Sequence, residues 1–440
     1  MPAVNPPVTV GRTFTPGLHR AAPAGMGCRV HIEILNTGTE LLLGNTLNTH
    51  GAWCGRELFK LGLRLARQTT VPDGPAIRDA LSEIIHRAAA VIVTGGLGPT
   101  SDDLTREITA EVLGLELRTD PAALHSLEAF FAIRNRPMAA ANLKQALIPA
   151  GAEVLPNANG TAPGCYLPPG LGGTADCAIF LLPGPPRELY PMFQAEVVPR
   201  LRTLAGLASP PAVLELKFTG IGESDFHQGI DARLAGIAGL EFGYCAHIGE
   251  VDLRLIGPPA ALAEARAIAL AEFAGYLVSD DGSSLAETIV RRLTERQLTL
   301  ATAESCTGGL IANRLTDVPG ASAVFTHGFV TYSNQAKTGL LGVGAEILAS
   351  HGAVSEPVAR AMAEGALAAS GSDLAVAVTG IAGPSGGTPE KPVGTAWIAV
   401  ARRAAPTTAH RVFQPRNRHD FKLGVSQSAL DAVRKRLDHP

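Results

Sequence analysis

The feature that most constrains this chain is a repeated unit in which a short apolar run stops in a glycine- or proline-rich loop and resumes as a helical pattern. Ala90–Thr94 is one such run, and it breaks into Gly95-Gly96-Leu97-Gly98-Pro99. Residues 179–182 run into Pro183-Gly184-Pro185-Pro186 in the same way. A short apolar run bounded by such breakers reads as a strand buried on both faces. Alternation of such strands with helices builds a mostly parallel sheet inside helical layers. The texture changes between about 205 and 280, where 213–218 and 251–256 alternate as strands with one solvated face and 260–274 is an alanine-rich helix. The expected fold class is α/β, with two α/β three-layer domains joined by a small α+β middle domain. The expected boundaries are a disordered tail over 1–27, a first domain over 28–200, the middle segment over 201–281 and a last domain over 282–440.

Local patterns refine this outline. Val30, Ile32 and Ile34 alternate into a strand that breaks at Gly38. A helical stretch follows Asn45, with Leu47, Leu58 and Leu61 as core positions, and another helix is expected over 102–113. In the last module Ser284 and Glu287 form a capping box, and Leu285, Ile289 and Leu293 line one face of the helix behind it. Strands are expected over 298–303, 324–331, 374–378 and 395–400, and helices over 309–315, 356–369 and 420–437. Pro2, Pro6, Pro7, Pro16 and Pro23 interrupt the first residues, which read as a disordered tail upstream of a natural start at Met26.

Composition excludes several classes. Charged residues are 18% and apolar residues 46% of the 440, which is too apolar for a disordered chain. A net charge of −3 leaves no footprint for direct nucleic-acid binding. The basic run Arg434, Lys435, Arg436 ends a helix and reads as a solvated face. The six cysteines include no C-x-x-C pair and read as reduced thiols of a cytoplasmic protein. No H-E-x-x-H zinc motif occurs, and no run is long and apolar enough to span a bilayer.

The most informative run is Thr302-Ala303-Glu304-Ser305-Cys306-Thr307-Gly308-Gly309. It lies between a strand and a helix, so Ser305 stands at the sheet's carboxyl edge, where open α/β sheets hold ligands. The following backbone N–H groups suit an oxyanion or a phosphate, and Gly308 and Gly309 let a ligand approach closely. A serine nucleophile needs a base. Lys337, which closes Val330-Thr331-Tyr332-Ser333-Asn334-Gln335-Ala336-Lys337, is the candidate if burial lowers its pKa. Plainer readings compete: Ser305 as a helix N-cap, Lys337 as a surface lysine, and Cys306 as a small buried thiol rather than a rival nucleophile.

Together with Ala377-Val378-Thr379-Gly380-Ile381-Ala382-Gly383-Pro384, these two runs resemble the carboxyl-terminal domain of the CinA family over about 283–437. The three blocks stand in the family's order. The resemblance implies hydrolysis of nicotinamide mononucleotide to nicotinic acid mononucleotide and ammonia, without a cofactor. It implies Ser305 as nucleophile and Lys337 as its basic partner, with Tyr332 and Thr379 in positioning or proton relay. Glu304, Cys306, Thr307, Gly308, Gly309, Asn334, Gly380 and Gly383 are expected to line the substrate. A basic residue before the last helix is expected to meet the substrate phosphate. Arg418 is the candidate and Arg416 the reserve, although Pro415 stands near the position where the family carries glycine. The implied chemistry is acyl transfer, with the Ser305 proton passing to Lys337 directly or through Tyr332 and an oxyanion held by the 306–309 amides. A homodimer is also implied.

Four further blocks carry glycines and hydroxyls suited to a phosphate cradle. They are Gly38-Thr39-Glu40, Gly95-Gly96-Leu97-Gly98-Pro99-Thr100-Ser101-Asp102-Asp103, Asn157-Ala158-Asn159-Gly160-Thr161, and Pro183-Gly184-Pro185. Asp102 and Asp103 suit a hard cation, or else a helix cap. Together the blocks resemble the molybdopterin-binding-like amino-terminal domain of CinA proteins over about 28–200. That resemblance implies a divalent metal (Mg, Co or Mn) and an ADP-ribose pyrophosphatase, or a domain that only binds a nucleotide or pterin. The rival to an enzyme is a non-catalytic adaptor linked to competence or DNA damage.

Overall fold

The computed structural model describes residues 30–173, 176–207 and 212–438. The expected disordered tail over 1–27 lies outside the described residues. The chain forms two compact units that divide after Pro210.

The first unit is built on β1 (Ile32–Thr37), β2 (Leu65–Val71), β3 (Ala90–Thr94), a separate antiparallel ribbon of β4 (Leu117–Thr119) and β5 (Leu147–Pro149), then β6 (Glu153–Leu155), β7 (Gly164–Leu167) and β8 (Ala178–Leu182). Its main sheet runs β2-β1-β3-β8-β7-β6. The first four strands are parallel, and β7 and β6 turn antiparallel. Strands β1, β3 and β8 are buried at every residue, as expected for strands covered on both sides. One core holds Ile34, Ile92 and Phe180, and the other holds Leu35, Val91, Val93 and Leu181. Parallel pairing brings the carboxyl ends of β1, β3 and β8 together, so their three glycine loops converge. Gly95 N–H donates to Leu182 O at 3.0 Å.

Leu47, expected in the core, is 83% exposed and precedes the helix His50–Lys60, whose inward residues include Leu58. The helix expected from 102 begins only at Thr105, so Asp102 and Asp103 sit in the turn before it.

The second unit opens with β9 (Val213–Thr219), β10 (Glu241–His247), β11 (Glu250–Ile256) and β12 (Leu277–Ser279), an antiparallel sheet in the order β10-β11-β9-β12. Helices Glu223–Leu234 and Pro259–Phe273 share a core with it through Phe226, Ile230, Ala265 and Ala269. Next comes a sheet of β13 (Leu300–Glu304), β14 (Phe325–Val330), β15 (Leu374–Gly380), β16 (Thr395–Arg402) and β17 (Ala405–Phe413). Its order is β14-β13-β15-β16-β17, parallel across the first three strands and antiparallel across the last two.

The alternation in this second sheet is by size. Leu300, Leu374, Val376 and Val378 face helices Leu285–Glu295 and Arg418–Asp438. Ala301, Ala303, Ala375 and Ala377 face helix Glu356–Ser370. Small residues on that face let the alanine-rich helix pack close. The expected capping box is present: Glu287 N–H donates to Ser284 Oγ at 3.2 Å and Ser284 N–H to Glu287 Oε2 at 2.7 Å.

The basic run 434–436 is not wholly a solvated face. Arg434 is 3% exposed. It donates to Asp431 Oδ1 at 2.8 Å and to the carbonyls of Leu277 and Gly275, both at 3.0 Å. Successive helical residues point about 100° apart, so one of three consecutive bases turns inward.

Candidate active site

Ser305 follows β13 directly, at the carboxyl edge of the parallel strands. The next helix, Leu310–Thr316, is capped by Gly309, so Ser305 is not its N-cap. Ser305 is nearly buried and Lys337 is 1% exposed. Lys337 Nζ donates to Ser305 Oγ at 3.1 Å and to Thr331 O at 2.8 Å. Burial holds the Lys337 ammonium below the ordinary lysine value, because losing hydration penalises the charged form. The surface-lysine reading therefore fails. Cys306 is buried, and burial pushes its thiol up to about 12, which leaves it protonated and a poor nucleophile.

Glu304 takes a role the sequence reading missed. Its carboxylate is fully buried and accepts from Thr307 Oγ1 at 2.6 Å, Gly309 N–H at 3.0 Å, Ile311 N–H at 3.1 Å and Ala312 N–H at 2.8 Å. It pins the turn to the helix behind it instead of facing a substrate. Gly308 N–H donates to Ser305 O at 3.2 Å. Among the described residues no backbone carbonyl engages the Cys306 and Thr307 amides, which lie against the Cys306 sulfur. Gly308 and Gly309 both have positive φ, 63° and 93°, which an L side chain adopts only with strain.

The other expected residues divide. Tyr332 is 61% exposed, and its Oη accepts from Arg418 Nη2 at 2.7 Å. It does not stand between Lys337 and Ser305, which touch directly. Arg418 Nη1 also donates to Gly383 O at 3.0 Å, which joins Tyr332, Arg418 and Gly383. Thr379 is buried and donates to Ala353 O at 2.8 Å, so it anchors that segment. Asn334 is an exposed first residue of helix Asn334–Leu341, and Gly380 ends β15. Arg416 is not at this site. It lines a different cavity of about 570 Å³ with Thr219, Glu250, His410 and Gln427. The sequence reading also missed Lys422, whose Nζ lies 3.8 Å from where a Cβ on Gly308 would stand. Its place four residues after Arg418 on the last helix was the available signal.

In the first unit a cavity of about 560 Å³ is lined by Glu40, Gly95, Gly96, Gly98, Asp102, Asp103, Thr161 and Gly184, among others. Thr39, Thr100, Asn157 and Gly160 support this wall. Thr39 N–H and Oγ1 donate to Asp73 Oδ2 at 2.9 and 3.0 Å. Asn157 Nδ2 donates to Glu188 Oε2 at 2.9 Å. A Cβ on Gly160 would meet the Glu188 carboxylate, so a larger residue there requires that carboxylate to shift. His50, Gln145 and Glu188 line the cavity without having been singled out by sequence. Burial holds the His50 imidazole below its ordinary value, and its Nδ1 has no partner among the described residues.

The cation expected here finds no ready-made cage. Asp103 Oδ2 accepts from Thr100 N–H at 3.0 Å and from the Thr100 hydroxyl, as a turn-capping aspartate does. Asp102 is exposed. Among the described residues no group of three or more His, Cys, Asp or Glu could hold a metal ion. The residues present do not fit a preformed metal centre.

Comparison with known proteins covers both units. Residues 282–437 match the family described as "CinA C-terminal domain", and residues 33–203 match "Probable molybdopterin binding domain". A "CinA-like protein" of Akkermansia muciniphila is 50% identical over 411 residues, covering 92% of this chain and 98% of that one. The crystal structure of a competence/damage inducible protein from Agrobacterium tumefaciens is 44% identical, covers 36% of this chain and 98% of its own, and has a TM-score of 0.34. A competence damage-inducible protein of Klebsiella pneumoniae is 39% identical, covers 35% of this chain and 96% of its own, also with a TM-score of 0.34.

Proposed function

The chain belongs to the CinA family, and from that premise we propose that it hydrolyses the carboxamide of nicotinamide mononucleotide, giving nicotinic acid mononucleotide and ammonia. The observation that carries this reading is the buried Lys337 Nζ at 3.1 Å from Ser305 Oγ. In the proposed reaction neutral Lys337 takes the Ser305 proton as Oγ bonds to the carboxamide carbon. The developing oxyanion takes hydrogen bonds from the Cys306 and Thr307 amides in this reaction. The carbon–nitrogen bond then breaks, and the departing nitrogen takes its proton from the Lys337 ammonium. Water attacks the resulting ester, freeing the carboxylate and restoring Ser305. Tyr332, Arg418 and Gly383 form a wall beside this path, and Arg418 meets the phosphate.

Ammonia release from nicotinamide mononucleotide tests this reading, with and without chelator. Wild type releases ammonia in both conditions, whereas Ser305→Ala and Lys337→Ala lose at least about a thousandfold in kcat, the scale of removing a nucleophile or its base. No release from folded wild type sinks the reading. The same reading carries a cytoplasmic homodimer, which light scattering on the purified protein tests for assembly.

A second reading concerns the first unit. Its glycine-lined cavity of about 560 Å³ suits a nucleotide phosphate chain, with ADP-ribose as the substrate and AMP and ribose 5-phosphate as products. Measuring AMP release with and without divalent metal tests it separately from the deamidase. Loss of both activities would favour the adaptor role.

A further inference from the structure

Arg418 and Lys422 open the helix Arg418–Asp438 and lie four residues apart, so they share one face. Both point to the Ser305 site: Arg418 reaches Tyr332 Oη and Gly383 O, and Lys422 Nζ is the one heavy atom within 4 Å of a Cβ built on Gly308. Neither has an acidic partner among the described residues. The groups Arg418 touches are neutral, and half-buried Lys422 has no hydrogen bond or ion pair among the described residues. The neighbouring acid, Asp420, is engaged by Asn417 Nδ2 at 2.8 Å.

This arrangement opposes the helix's own preferences. Like charges four residues apart repel, and cations at the start of a helix face its positive end. A cation pair kept there, with one member half-buried, calls for an anion supplied from outside. Lys422 stands beside Gly308, in the turn that carries the nucleophile. In nicotinamide mononucleotide the anion available to meet it is the phosphate.

We propose that Lys422 joins Arg418 in a phosphomonoester subsite of the Ser305 pocket and selects the phosphorylated substrate over its nucleoside. This rests on the deamidase reading and adds a specificity-determining residue to it.

The test compares wild type, Lys422→Met and Lys422→Arg on nicotinamide mononucleotide and on nicotinamide riboside, which keeps the carboxamide and lacks the phosphate. Lys422→Met raises KM for the mononucleotide about 10- to 100-fold, the scale of a lost charge-assisted contact, while kcat falls about threefold or less. Lys422→Arg recovers most of the KM. The loss in kcat/KM on the riboside is at least about tenfold smaller than on the mononucleotide. Equal losses on the two substrates, or no loss on either, overturn the proposal.

A second readout separates its failure from that of the deamidase reading. Inorganic phosphate raises the unfolding temperature of wild type, and Lys422→Met loses that shift even if no ammonia is ever released. A phosphate shift that is absent in wild type, or unchanged in Lys422→Met, counts against the subsite.

Discussion

Glu304 holds the nucleophile turn in place, and its removal is predicted to cost more than any loss of substrate contact. Its carboxylate receives three backbone N–H groups and one hydroxyl while fully buried. Glu304→Ala strands those donors and is expected to lower stability by about 3–5 kcal/mol, measured by denaturant unfolding. Lys337 shows the opposite balance. Its folded pKa is depressed by burial, so between the folded and unfolded values the unfolded chain binds more protons and stability rises with pH. Below that window the buried ammonium penalises the fold. Lys337→Met is therefore expected to raise the unfolding temperature at neutral pH while abolishing ammonia release. Cys306→Ala should keep ammonia release within about threefold, because a protonated buried thiol has no part in the attack. Residue types left Ser305 open as a helix cap and Lys337 as a surface lysine, and only the resemblance of their runs to the CinA family paired them. Glu304 was misread as a substrate contact because the direction of a carboxylate depends on helix geometry that residue types alone do not carry.

At the scale of elements, legibility followed burial. Ala90–Thr94 was readable to the residue, since five buried positions end in glycine. The capping box over Ser284 and Glu287 was equally plain. Ser284→Ala is expected to cost about 1 kcal/mol without changing kcat, since it removes one cap remote from the Ser305 turn. Strands β10 and β17 escaped notice. Both are edge strands with few buried residues, so neither shows a continuous apolar run or a clean hydrophobic alternation. The helix expected from 102 started late because Asp103 caps a turn at Thr100, a competing local bond of the kind aspartate favours. From the last helix Arg434 binds Asp431, the β12 carbonyl of Leu277 and the Gly275 carbonyl just before that strand. That contact ties two stretches about 160 residues apart, a separation no local pattern reveals.

At the scale of the whole molecule, the two units carry separate cores. Calorimetry is expected to resolve two transitions. Phe193→Ala, in a fully buried site of the first unit, should lower one by about 3–5 kcal/mol of stability and leave the other in place. Ser284→Ala should do the reverse on its smaller scale. A single transition moved by both variants would show the units unfolding together. The α/β layering of the first unit and of the stretch after residue 282 was readable from the strand, loop and helix grammar. The attachment of the middle sheet to the last helix was not, because it runs through Gln427 and Arg434, polar residues with no periodic signature. Lys337, whose ammonium form is disfavoured by burial, is proposed to activate Ser305 against a carboxamide. The most direct measurement is the pH dependence of kcat/KM for ammonia release from nicotinamide mononucleotide, in wild type and Lys337→Met. A limb that rises with pH is expected, with a midpoint below the ordinary lysine value, and it collapses in the variant. A flat profile, a midpoint at the ordinary lysine value, or the same limb surviving in Lys337→Met would contradict it.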